Sequence, residues 1–227
     1  MLIYFYRNAE RLSTELLDSL VASMPQQQQD IVLHYKTHRQ RCEQALAYTM
    51  LCHALKKQQL WIRKAHANAV FRFRDELLTP RYIKRNAPIW AFGEHGKPYI
   101  TNYEGIHFNI SHCREAVAVG ISDHEIGIDI EGRRRFSDTL IERAFSDEEK
   151  AILKDCDDPQ KEFACIWTRK EAWFKYTGTG ILMDHLKTTE ADARDAGCII
   201  HTSPVVATEE GDEVFWLSIA EKRRPIE

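Results

Sequence analysis

The sequence predicts an α+β protein of two halves, residues 1–122 and 123–227, each a small antiparallel sheet packed with helices. Three observations predict it: helical leucine spacing near the N-terminus, strand-like runs clustered between residues 88 and 131, and helices followed by strands thereafter. That order suits two similar α+β halves meeting near residue 122. The 227 residues fall between the usual length of one domain and of two. A content of 44% hydrophobic and 29% charged residues excludes disordered and fibrous classes.

Lysines and arginines number 31 against 34 aspartates and glutamates, a net charge of −3, so the surface is not basic overall. Any anionic partner must therefore be met locally. Met1 to Tyr6 is apolar, but no basic residues precede it and Arg7 interrupts it, which is no signal-peptide pattern. No run approaches the ~20 apolar residues of a membrane span. Cys42, Cys52, Cys113, Cys156, Cys165 and Cys198 form no C-x-x-C pair, which speaks against a zinc site or disulfide framework. A folded, soluble, cytoplasmic protein is expected.

Leucines 12, 16, 17 and 20 recur at helical spacing from Glu10 to Ser23, and Pro25 stops them. A second helical region is predicted over Gln26 to Leu60, with Leu46, Met50, Leu51 and Leu55 on its buried face. Lys36, His38, Arg39 and Arg41 form a basic cluster there. Arg63 to Arg85 is basic and without clear period. Strands are expected at Pro88 to Phe92, His107 to Ile110 and Ala116 to Ile121, separated by turn signals. Glu125 to Glu131 alternates, placing Ile126, Ile128 and Ile130 on one face and Asp129 and Glu131 on the other. Ser146 with Glu149 reads as a capping box, Pro159 opens a further helix, and Gly178 is placed to end it. Two strands, Cys198 to Val206 and Val214 to Ala220, close the chain.

Three constellations could carry chemistry. Asp129 and Glu131 stand ~7 Å apart along one strand face and suit a hard cation such as Mg²⁺, or are an ordinary solvated face. Trp167, Glu171 and Lys175 share a helix stripe at i, i+4 and i+8. Glu171 could be a third metal ligand or a general base and Lys175 a phosphate contact, or the two form a surface ion pair. Ser111 and His112 end a strand, with Gly96-Lys97-Pro98 in the turn upstream, and a hydroxyl, an imidazole and a held lysine can meet phosphate oxygens, or both segments are ordinary turn chemistry. No G-x-S-x-G elbow surrounds Ser111 and no Walker-type loop exists.

In order, Gly96-Lys97-Pro98, Phe108-Asn-Ile-Ser-His112, Gly127-Ile-Asp-Ile-Glu131 and Trp167-Thr-Arg-Lys-Glu171, followed by Ala172, Lys175 and Gly178-Thr-Gly180, resemble the 4′-phosphopantetheinyl transferase superfamily. The resemblance is to its larger, single-chain Sfp-type class and covers about residues 88 to 180. It implies two pseudo-symmetric halves with coenzyme A in the cleft between them, the N-terminal half on the coenzyme A side and the C-terminal half carrying the metal site and catalytic helix. It further implies a monomer that moves phosphopantetheine from coenzyme A to a serine of an acyl or peptidyl carrier protein, releasing adenosine 3′,5′-bisphosphate, with Mg²⁺ as cofactor. Asp129, Glu131 and Glu171 then match the metal-binding acids, and Lys175 the lysine near the pyrophosphate. Ser111 and His112 match the pair on the coenzyme A phosphates, and Lys97 and Pro98 the loop near the adenine. Lys36, Arg39 and Arg41 would meet the 3′-phosphate. Either the acid matching Glu171 or metal-held water takes the serine proton. Glu149 matches an acidic family position and equally reads as a cap. Arg133, Arg134 and Arg135 would steer an acidic carrier, or are simply solvated.

Two other classes stay open on the residues: a Mg²⁺-dependent hydrolase of coenzyme A or a related nucleotide diphosphate, and a non-catalytic coenzyme A-binding module. Neither accounts for all four motifs.

Overall fold

A computed structural model describes residues 1–61, 69–93, 95–180, 186–206 and 214–223, at 58–61 and 206 by their backbone. The chain divides into two units: Met1–Ala91 with Tyr99–Asp123, and Phe92–Pro98 with His124–Glu227. The class is α+β. Residues 92–98, expected in the N-terminal half, group with the second unit.

In the first unit the apolar start of the chain is a strand, β1 (Leu2–Arg7), rather than an unassigned run. The single helix expected over Glu10 to Ser23 is a one-turn 3₁₀ segment followed by α1 (Thr14–Val21), because the Ser13 hydroxyl accepts from Leu16 N–H and caps there. The helical region 26–60 is two helices, α2 (Gln26–His34) and α3 (His38–Trp61). The Thr37 hydroxyl accepts from Gln40 N–H at 3.2 Å and restarts the helix after the break. The expected face of α3 is the core: Leu46, Met50, Leu51 and Leu55 are fully buried.

Strand β2 (Ala69–Arg72) and helix α4 (Pro80–Asn86) come from the stretch that carried no period, part of which lies outside the described residues. A short hairpin, β3 (Trp90–Phe92) and β4 (Pro98–Ile100), precedes β5 (His107–His112) and β6 (Ala116–Ser122). The sheet runs β2-β1-β6-β5. It is mixed, which corrects the expectation of an antiparallel sheet: β1 and β2 pair in parallel. A parallel pair needs a long crossover, and α1 to α3 supply it.

The second unit holds β7 (Ile126–Glu131), α5 (Asp138–Ala144), α6 (Asp147–Asp155), α7 (Pro159–Thr177), α8 (Glu190–Asp195), β8 (Cys198–Val206) and β9 (Val214–Lys222). Its sheet is antiparallel, in the order β7-β9-β8. Asp158 caps α7 by accepting from Lys161 N–H. Gly178 closes it in the left-handed conformation, φ 71°, donating its N–H to the Phe174 carbonyl at 3.0 Å. A hydroxyl relay fastens this helix to the sheet: Ser218 on β9 donates to Thr168 Oγ1 at 2.8 Å and lies 2.8 Å from Thr202 Oγ1 on β8.

The close seat of α7 depends on Gly127. A β-carbon there would fall inside the van der Waals envelope of the Ala172 carbonyl oxygen and the Tyr176 nitrogen, and 2.8 Å from the Tyr176 Cα. All three are backbone atoms and cannot rotate away. Gly127→Ala is therefore expected to lower the unfolding free energy by at least about 2 kcal/mol in urea denaturation. A loss under about 0.5 kcal/mol would contradict this packing.

Candidate active site

The alternation of β7 directs Gly127, Asp129 and Glu131 to one face, and the helix that rests on Gly127 faces the other two. That face is not solvated. Asp129 is 6% exposed and Glu131 9%. Two buried carboxylates need cationic partners, and each has one. Lys175, from α7, places Nζ 2.7 Å from Asp129 Oδ1. Arg134 places Nη1 2.8 Å from Glu131 Oε2.

Arg134 is itself held by aromatic faces. Its guanidinium carbon lies 5.5 Å from the Phe163 ring centre and 5.8 Å from that of Trp167. Phe163 in turn stacks with Phe136 and with Phe145, at 4.7 and 5.4 Å. The Gly132 N–H donates to Glu131 Oε1 at 3.2 Å. Glu131 is thus gripped at both oxygens. Burial raises its pKa, Asp129 adds to the rise, and the bonds from Arg134 and Gly132 oppose it.

Glu171 stands one turn before Lys175 on α7 and completes the group. Burial pushes its carboxyl up to about 7; the charges of Asp129 and Glu131 add to this, and those of Lys175 and Arg134 oppose it. Three carboxylates face two cations, and the surplus negative charge falls on Glu171. Lys175 serves Asp129 across the elements rather than closing a surface ion pair with Glu171.

Among the described residues, no three His, Cys, Asp or Glu side chains converge as a formed metal site. Asp129 and Glu131 are turned toward Lys175 and Arg134 instead. The donor set nevertheless fits a hard cation: it is all oxygen, lies on rigid elements, and carries a negative charge that protein cations leave uncompensated.

The Lys97 amine meets protein partners. It pairs with Glu125 and donates to the Tyr176 carbonyl at 3.0 Å and the Ile126 carbonyl at 3.4 Å. It therefore ties the turn at Gly96 and Lys97 to the start of β7 and the end of α7, while Pro98 opens β4. Cations near a helix C-terminus are favoured there. Arg133 pairs with Asp158, the cap of α7, at 2.5 Å, and Arg135 is exposed. Glu149 makes the capping box with Ser146 and also pairs with Lys170 Nζ at 2.8 Å. Lys170, 4% exposed, further donates to the carbonyls of Leu186 and Thr188 at 3.1 and 2.7 Å.

In the first unit, Ser111 is 1% exposed and His112 is exposed at the end of β5. Of the basic cluster, Arg39 pairs with Glu43 at 3.1 Å, and Arg41 Nε donates to the Tyr35 carbonyl at 2.8 Å, closing the end of α2. Lys36 is exposed in the turn between α2 and α3.

Two contributors escape sequence reasoning. Arg134 reads as one of three loop arginines, although its spacing of three from Glu131 is a signal. Gly127 reads as a motif letter, although glycine inside a strand marks close backbone approach.

Residues 125–214 match the model of the "4'-phosphopantetheinyl transferase superfamily". The chain is 34% identical over 134 residues to the 4′-phosphopantetheinyl transferase gsp of Aneurinibacillus migulanus, covering 55% of this chain and 56% of that protein. It is 30% identical over 139 residues to a 4′-phosphopantetheinyl transferase of Bacillus subtilis, covering 57% and 62%. It is 38% identical over 90 residues to the 4′-phosphopantetheinyl transferase Sfp of Bacillus subtilis strain 168, covering 39% and 40%. The chain spans about half the length of the curated relatives it matches. The acids Asp129, Glu131 and Glu171 with Lys175 all lie inside the matched region, so the similarity to the 4′-phosphopantetheinyl transferase superfamily, and to relatives such as Sfp, takes in the whole acid group.

Proposed function

We propose that this chain is a Mg²⁺-dependent 4′-phosphopantetheinyl transferase acting between coenzyme A and a serine of an acyl or peptidyl carrier protein. The observation that carries this reading is the meeting of Asp129, Glu131 and Glu171 with Lys175 on β7 and α7. Two pseudo-symmetric halves with coenzyme A between them, and a monomeric cytoplasmic protein, belong to the same reading. Among the described residues, no helix is long and apolar enough to cross a membrane.

In the reaction, the serine oxygen forms a bond to the phosphorus next to the pantetheine arm. The bond from that phosphorus to the bridging oxygen breaks, and adenosine 3′,5′-bisphosphate leaves with that oxygen. Negative charge builds on the diphosphate oxygens, so fixed positive charge lowers the barrier. Mg²⁺, which Asp129, Glu131 and Glu171 would hold, supplies such charge when bound. Lys175 reaches the diphosphate as a point charge from a helix seated by Gly127. The serine proton passes to Glu171 or to a water molecule beside it. Ser111 and His112 contact coenzyme A phosphates, Lys36, Arg39 and Arg41 attend the 3′-phosphate, and Lys97 and Pro98 lie near the adenine. Arg135 steers the acidic carrier, while Arg133 is paired with Asp158 and Arg134 with Glu131.

Intact-protein mass spectrometry tests this: an apo carrier protein incubated with the full chain, coenzyme A and Mg²⁺ gains one phosphopantetheine. EDTA abolishes the gain, and Asp129→Ala or Glu171→Ala slows it by at least about 100-fold. Coenzyme A consumption with an unmodified carrier would favour a hydrolase.

The charge surplus also has a stability signature. The folded-state pKa of Glu171 lies above its unfolded value, so the folded state binds more protons and stability falls as pH rises from about 4.5 through about 7. In buffer free of divalent cations, Glu171→Gln should raise the unfolding free energy by about 1–3 kcal/mol at pH 8 and by little at pH 4.5. Mg²⁺ should stabilise the native chain more than the variant. An equal response of both to Mg²⁺ would exclude Glu171 from the cation site.

A further inference from the structure

The first unit contains a cavity of about 360 Å³ bordered by β1, β2, α3 and α4. Tyr4, His53, Phe71 and Tyr82 line it, together with three cations, Lys57, Arg72 and Arg74, all exposed. Its volume is in the range of small-molecule sites, which combine apolar walls with a few polar groups.

Two features are unexplained by folding alone. The first is His53, which is 2% exposed and whose ring meets Tyr4, Phe73 and Tyr82 edge-on at 5.2, 5.2 and 4.7 Å. Its Nδ1 is buried with no hydrogen-bond partner. A buried polar atom left unpaired is costly, and folded proteins rarely keep one. Burial and the neighbouring Lys57 and Lys56 push its pKa down to about 4, so the ring is neutral at physiological pH. The second is Phe71, which leaves 44% of its surface in solvent beside the cavity, 5.9 Å from the Tyr4 ring. The cations add a third constraint. The carboxylate of Asp75, adjacent to Arg74 in the chain, accepts from Tyr6 Oη at 2.8 Å.

We propose that this cavity is a binding site, additional to the candidate active site, for a small planar aromatic molecule carrying an anionic group. The ring packs among Tyr4, Phe71 and Tyr82, a polar atom of the ligand satisfies His53 Nδ1, and the anion meets Lys57, Arg72 and Arg74. An aryl carboxylate and an adenine nucleotide share this chemistry, and two probes separate them.

Titration of the full chain with 2-naphthoate and, separately, with AMP, followed by NMR shifts of the Phe71 and Tyr82 rings, tests the proposal. At least one probe should bind with Kd below roughly 1 mM, and the one that binds identifies the source. For naphthoate, the neutral 2-naphthalenemethanol should bind at least tenfold more weakly; for AMP, adenosine should. The double variant Arg72→Ala/Arg74→Ala alters only exposed side chains, and it should lose at least tenfold in affinity while keeping its melting temperature. Failure of both probes, equal binding of the neutral counterpart, or an unchanged affinity in the variant would overturn the proposal. Displacement of the bound probe by saturating coenzyme A would assign the cavity to the coenzyme A site and overturn it as an additional one.

Discussion

The arrangement of the second unit depends on one steric constraint, the backbone-to-backbone approach of α7 to β7 at Gly127. Any side chain at that position would meet main-chain atoms of residues 172 and 176. With glycine there, the next residues on the same strand face come within reach of side chains one turn apart on the helix. Lys175 meets Asp129 for that reason, and Glu171 enters the field of both strand acids.

What the close approach creates is a charge imbalance among buried carboxylates. Lys175 and Arg134 each neutralise one acid, and the third is left with a pKa near neutrality. The surrounding structure resists its collapse. Arg134 is held on Phe163 and Trp167, the Thr202–Ser218–Thr168 hydroxyls fix the helix to the sheet, and Gly178 and Lys97 finish the helix end. A divalent cation would relieve the surplus without displacing the frame, which is why the proposed transferase chemistry suits this unit.

Much of this frame is legible in the sequence because it rests on local signals. The alternation of Glu125 to Glu131, the Ser146–Glu149 box, Pro159 and Gly178 each act within a few residues, and each element stands within a residue or two of its expected place. The strand character of Leu2–Arg7 and Ala69–Arg72 was not legible, since it arises from pairing between segments far apart in the chain. The burial of Asp129 and Glu131 was equally hidden: alternation separates two faces but does not say that a helix covers the polar one. The same holds for Lys97 and Arg41, whose partners are backbone carbonyls that no side-chain pattern reveals.

The central claim is that Asp129, Glu131 and Glu171 form one divalent-cation site. Its most direct test is Mn²⁺ uptake by the full chain in the presence of coenzyme A, read from the EPR signal of free Mn²⁺. The account predicts one ion per chain, with affinity reduced at least about tenfold in Asp129→Asn and in Glu171→Gln alike. Uptake that is unchanged in both variants would contradict it.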